Sequence, residues 1–172
     1  MVEYAGRQDT HRTPNPGRNL HEAAEELLDE LTERYAVDRR ETKEPAGEPL
    51  RTVRLVPRHP AAGPLAVIFT DGPGVVLRLG RWFTEPLPGT DDVREAPELV
   101  AYLRALAAAH VEGGLWERIR RGLSGSCIET RLIGAGLESA RQAPVDNAEA
   151  RSARREGFAA PVQWAPWPRR AA

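Results

Sequence analysis

Pro64-Leu65-Ala66-Val67-Ile68-Phe69-Thr70-Asp71-Gly72-Pro73-Gly74-Val75-Val76-Leu77-Arg78-Leu79-Gly80-Arg81-Trp82-Phe83-Thr84-Glu85-Pro86 is the stretch that decides the fold. Leu65 to Phe69 is a short apolar run, rich in β-branched and aromatic types, and reads as a strand. Asp71-Gly72-Pro73-Gly74 is turn chemistry, since glycine accepts positive φ, proline pre-sets φ and aspartate bonds its own backbone. Val75, Leu77 and Leu79 then share one face, with Arg78 on the other. Upstream, Arg51-Thr52-Val53-Arg54-Leu55-Val56 alternates with period two and reads as a third strand, closed by Pro57, Pro60, Gly63 and Pro64. Three consecutive strands joined by short turns predict an antiparallel meander. Its inner face is Val53, Leu55, Val67, Phe69, Val75, Leu77 and Leu79, or that set slipped by one residue. Gly80 to Pro88 continues the sheet briefly before the prolines stop it.

Helices flank this sheet. Asn19 caps a helix in which Leu20, Ala24, Leu27, Leu28, Leu31 and Tyr35 form an apolar stripe, and Glu22 fits a capping-box variant. The opposite face holds Glu22, Glu25, Glu26, Asp29, Glu30 and Glu33, able to meet a basic protein partner or to lie in solvent. Residues 38–50, charged and holding Pro45, Gly47 and Pro49, read as a linker loop. Residues 89–96 form a polar loop rich in helix-capping types. Pro97 opens a second helix with a stripe of Leu99, Val100, Leu103, Leu106, Ala107 and His110, ended by Gly113-Gly114. Leu115 to Gly122 reads as a strand turning through Leu123-Ser124-Gly125-Ser126 into Cys127 to Ile133. From Gly134 the chain is small and polar, with helical propensity over Asn147 to Glu156. The tail, Pro161-Val162-Gln163-Trp164-Ala165-Pro166-Trp167-Pro168, is extended by its prolines. Two wet tryptophans are costly at roughly 25 cal/mol per Å², so the tail is predicted to dock on the sheet or between sheet and helix.

A chain of 172 residues with 41% hydrophobic residues fits one domain with a core of its own. The expected division is a flexible lead-in over 1–18, a single domain over 19–168 and a flexible end over 169–172. The predicted fold class is α+β: an antiparallel sheet of four to six strands covered by two amphipathic helices, with a Trp/Pro-rich C-terminal strap. No run approaches the roughly 18 apolar residues that span a bilayer, and the N-terminus has no apolar signal region. With a single cysteine, Cys127, and hence no internal disulfide, these features predict a cytoplasmic protein that does not engage membranes. The net charge of −1 hides an asymmetry: residues 1–48 carry twelve acids and seven bases, residues 151–172 five arginines and one acid.

Several segments together resemble an uncharacterised actinobacterial family, a domain of unknown function. They are Tyr35 to Arg39, Arg51 to Arg58, Pro64 to Pro88 with its Gly80-Arg81-Trp82-x-x-Glu85-Pro86-x-Pro88 element, and Trp164-Ala165-Pro166-Trp167-Pro168. The resemblance implies relatedness and no particular activity. In that family a cluster of the form Cys-Gly-Cys-Asp-Ala-Cys follows the Glu-Pro-x-Pro element, a metal or redox site by its chemistry. Here the position reads Gly89-Thr90-Asp91-Asp92-Val93, with no thiol. Two adjacent loop carboxylates are common caps and weak cation ligands, so no metal or other cofactor is predicted.

No catalytic set assembles from the sequence. His110 near a helix C-terminus suits the dipole, His21 and His59 have no ligand spacing, and Gly122-Leu123-Ser124-Gly125-Ser126 is an incomplete nucleophile elbow. Cys127 heads an apolar strand and reads as an inert buried thiol. The candidate ligand or partner surface is Arg78, Arg81, Trp82, Glu85 and His110. The leading reading is a small non-catalytic binding or interaction protein, immunity- or adaptor-like by analogy with other small acidic α+β proteins. One alternative is a small-molecule-binding domain or enzyme with a pocket between sheet and helices. Another is a nucleic-acid-associated protein using Arg151, Arg154, Arg155, Arg169 and Arg170.

Overall fold

The computed structural model describes residues 19–43, 50–90, 92, 95–122 and 125–171. The lead-in over 1–18, Asp91 and the Leu123-Ser124 part of the predicted turn lie outside them. Five strands form the first sheet in chain order: β1 (Val37–Lys43), β2 (Arg51–Pro57), β3 (Leu65–Phe69), β4 (Val75–Leu79) and β5 (Phe83–Leu87), every neighbour antiparallel. The predicted inner face is the observed one: Val53, Leu55, Val67, Phe69, Val75, Leu77 and Leu79 are all buried. In the turn, glycine serves for close approach rather than for positive φ. A Cβ on Gly74 would stand 2.7 Å from the Leu87 carbonyl oxygen and 2.9 Å from the Gly89 nitrogen.

One expectation is corrected in this sheet. Residues 38–43 are not a linker but part of an edge strand, β1, whose inward positions after Val37 include the charged Arg39 and Glu41. Arg39 reaches Glu25 and Asp29, and Glu41 receives Arg51, so ion pairs with the first helix do the work that apolar residues do elsewhere. Phe83 to Leu87 continues the sheet as a fifth strand that runs through Pro86 and ends before Pro88. Pro86 is tolerated there because β5 pairs only with β4 and needs no amide donor on its free edge.

The single predicted sheet is in fact two. The second has the order β8-β7-β6-β9, with β6 (Leu115–Gly122), β7 (Gly125–Gly134), β8 (Leu137–Val145) and β9 (Val162–Gln163). The α+β class holds, with three helices among the described residues: α1 (Leu20–Arg34), α2 (Ala96–Val111) and α3 (Asn147–Arg155). Asn19 caps α1 by accepting the Glu22 amide at 2.8 Å, and Asp146 caps α3 through the Ala148 and Glu149 amides.

The main core joins the inner face of the first sheet to Leu20, Leu27, Leu28 and Leu31 of α1, Leu103 and Leu106 of α2, and Leu115 and Leu132 of the second sheet. A smaller core, Ile119, Ile128, Ala150, Ala153 and Phe158, lies between the second sheet and α3, with Trp82 and Trp164 packed against it. Gly114 lets α2 close on β7, since a Cβ there would overlap the Ile133 carbonyl oxygen at 1.9 Å.

The tail docks. After β9 its amides bond Leu115, Ala61 and Val111 in turn, through Trp164, Ala165 and Trp167. The pairing runs on to the end of α1, where Arg170 donates to the Arg34 carbonyl and Ala36 to that of Pro168. Trp167 is buried, its indole Nε1 donating to Gly63 at 2.9 Å and its ring edge-on to Tyr35 and His110.

Candidate functional site

Burying one face of each sheet leaves the other open. On the outer face of the first sheet, strand register aligns Arg40, Arg54, Ala66, Arg78 and Thr84 in one row across all five strands. The next row is Thr42, Thr52, Ile68, Val76 and Pro86. Arg40, Arg54 and Arg78 are exposed and have no carboxylate partner among the described residues. Arg40 and Arg54 stand directly opposite each other, a placement that opposes pairing. Arg54 and Arg78 straddle Ala66, about 10 Å apart at two strand spacings. Between them lies a groove of about 200 Å³, lined also by Thr52, Gly80 and Arg81.

The five sequence-selected residues fall in three places. Arg78 belongs to the row, and Arg81 borders the groove while pairing with Glu156 of the turn after α3. Trp82 and Glu85 belong to the junction between the sheets. Trp82 donates its indole N–H to Glu149 at 2.7 Å and meets Phe158 edge-on, and Glu85 is ion-paired with Arg141 of β8. His110 lies in the core, wholly buried, its Nε2 shared between the Gly63 and Pro64 carbonyls at 3.0 and 3.1 Å and its Nδ1 without a partner. Two carbonyl acceptors require that Nε2 carry the proton, and burial lowers the His110 pKa to about 4. The space between sheets and helices holds core side chains, among them Leu77, Leu103, Leu106, Leu115 and Leu132.

The residue that joins these places is Glu117, which the sequence reading did not single out. It sits on the inner face of β6 between Leu115 and Ile119 and is wholly buried. Its two oxygens accept the backbone amides of Arg81, Trp82 and Phe83 at 2.9, 2.7 and 3.1 Å, and the Trp164 indole N–H at 2.8 Å. Burial pushes the carboxyl above its ordinary range, and the four N–H donors pull it back. One side chain thus ties the β4–β5 turn, the second sheet and the tail. Gly80 makes the turn possible: its φ is +62°, and a Cβ would crowd Trp164, Leu115 and Glu117. The signal in the sequence is a lone glutamate at an apolar-phase position, Leu115-x-Glu117-x-Ile119.

The acidic face of α1 is largely spoken for. Glu25 meets Arg39 and Arg51, Asp29 meets Arg39, and Glu26 and Glu30 meet Arg104 of α2. Of the C-terminal arginines, Arg154 donates to Ser126 and Arg170 to the Tyr35 carbonyl. Cys127 is half-buried on the open face of the second sheet rather than in the core. No group of His, Cys, Asp and Glu side chains able to hold a metal occurs among the described residues, and no helix there is long and apolar enough to cross a membrane.

The sequence pattern of DUF6226, a family of unknown function, matches residues 10–171. The chain belongs to that family. The match takes in every element of both sheets and the docked tail, so the fold described here is that of the family's whole matched region. No curated protein and no solved structure matches the chain.

Proposed function

We propose that this DUF6226 chain is a non-catalytic binding protein that docks an acidic protein surface on the outer face of its first sheet. The unpaired row of Arg40, Arg54 and Arg78 carries the reading. Four acids of α1 are neutralised by Arg39, Arg51 and Arg104, whereas this face keeps three arginines with no ion pair among the described residues, Asp38 on the same face being taken by Arg58. Setting two arginines opposite each other works against strand pairing, which marks the row as serving something other than the sheet. The neighbouring row of Thr52, Ile68, Val76 and Pro86 supplies mixed apolar and hydroxyl surface, and arginine amid such surface suits protein interfaces. None of the ten residues of the two rows is aromatic, so the face offers no platform for stacking bases, which favours an acidic protein over single-stranded nucleic acid.

The experiment compares the native chain with Arg54→Glu/Arg78→Glu for binding to poly-glutamate and to a single-stranded oligonucleotide, across increasing ionic strength. The reading predicts salt-sensitive binding of poly-glutamate that the double variant loses. Binding that survives charge reversal, or a preference for the oligonucleotide, contradicts it.

A further inference from the structure

The open face of the second sheet carries a different arrangement. Register sets Trp116, Arg131 and Ala140 in one row across β6, β7 and β8, and Arg118, Glu129 and Gln142 in the next. They surround a hollow of about 500 Å³, within the size range of small-molecule sites. At its floor Glu129 is 6% exposed, and its carboxylate is held by Arg118, Arg120 at 3.2 Å and Gln142 at 3.2 Å. Burial works to raise the Glu129 carboxyl, and the two arginines outweigh it, holding it below the ordinary range. The floor is therefore a fixed arginine–carboxylate–arginine array with one net positive charge.

Two features of the hollow bear on what it can hold. Arg131 pairs with Glu138 through one terminal nitrogen, yet its Nε is buried and donates to nothing. A buried N–H without an acceptor is costly, and an acceptor brought in from outside removes that cost. Trp116 is half-buried at the wall with the Arg118 guanidinium 5.7 Å from its ring centroid, and Ala140, the smallest side chain of its row, leaves room beside Arg131.

We propose that this hollow binds a small organic anion bearing a flat ring, its anionic oxygens accepting from Arg131 Nε and Arg120 and its ring lying against Trp116 over Ala140. The site is separate from the arginine row of the first sheet and stands whether or not that face docks a protein. Nucleoside monophosphates and aromatic carboxylates share this chemistry.

The test is calorimetric titration of the full chain with adenosine monophosphate, benzoate, adenosine and inorganic phosphate, with the four indole N–H resonances followed by NMR. The expected result is binding of adenosine monophosphate or benzoate with movement of the Trp116 resonance, and at least tenfold weaker binding of adenosine and of phosphate. Which of the two ring-bearing anions binds tells the sources apart. Arg131→Lys, which keeps the charge toward Glu138 and removes the Nε donor, should weaken binding about tenfold, one lost charge-assisted hydrogen bond. Arg120→Ala, at a side chain 62% exposed and outside the core, should weaken it as well without loss of folding. Equal binding of phosphate, unchanged affinity in both variants, or no binding by either ring-bearing anion overturns the proposal.

Discussion

At the residue scale, two buried titratable groups set how the molecule answers to substitution and to pH. Glu117 accepts four N–H donors, and an amide in its place keeps one acceptor oxygen while turning an NH2 toward donors. Glu117→Gln should cost about 2–4 kcal/mol, read as a lower urea midpoint with an unchanged slope. His110 is neutral in the fold and has no acceptor for a second proton. Its folded pKa of about 4 lies below the ordinary 6.5, so between these values the unfolded chain binds a proton that the folded chain refuses. Stability is therefore complete above pH 6.5 and is lost as pH falls toward 4, by about 3 kcal/mol from this group. Glu117, raised by burial, acts with the opposite sign, its charged form costing stability as pH rises. Unfolding of the native chain and of His110→Gln between these pH values isolates the histidine: the variant should lose much of the acid-side slope. Equal slopes would mean that His110 is protonated in the fold.

At the element scale, legibility follows whether a strand meets the core through apolar side chains. β2, β3 and β4 are plain in the sequence because Val53, Leu55, Val67, Phe69, Val75, Leu77 and Leu79 alternate as the pleat demands. β1 is hidden because its inward residues Arg39 and Glu41 are matched by charges on α1 and β2, a pairing that only the fold reveals. β8 is hidden for a related reason: inward-facing Arg141 pairs with Glu85 and stacks on Phe83, so Leu137 to Val145 shows no apolar alternation. The tail was legible from its tryptophans alone, since nothing but burial suits two indoles in a polar segment. Trp167→Ala should cost about 3–5 kcal/mol and lower the melting temperature by roughly 10 °C. Trp164→Ala, at a half-buried ring whose indole serves Glu117, should cost less. A Trp167→Ala melting curve that overlays the native one would show that the strap contributes nothing to the core.

At the scale of the whole molecule, the two sheets turn their apolar faces toward the helices and toward each other, leaving two polar faces of different chemistry. The first-sheet face was half legible. Arg54 and Arg78 fall on the polar phase of strands that the sequence reveals, but their alignment with Arg40 depends on β1 and on register, which continuous apolar runs do not fix. The second-sheet hollow could not be read at all, because it is made by cross-strand neighbours from β6, β7 and β8. The central claim is that the arginine row serves a partner and not the fold. Its most direct test is the melting temperature of Arg54→Thr/Arg78→Thr. Like charges directly opposite across strands cost about 0.2–1 kcal/mol, so relieving them should leave the melting temperature unchanged or raise it by about 1–3 °C. A fall of about 5 °C or more would show that these arginines hold the sheet together, and would contradict the account.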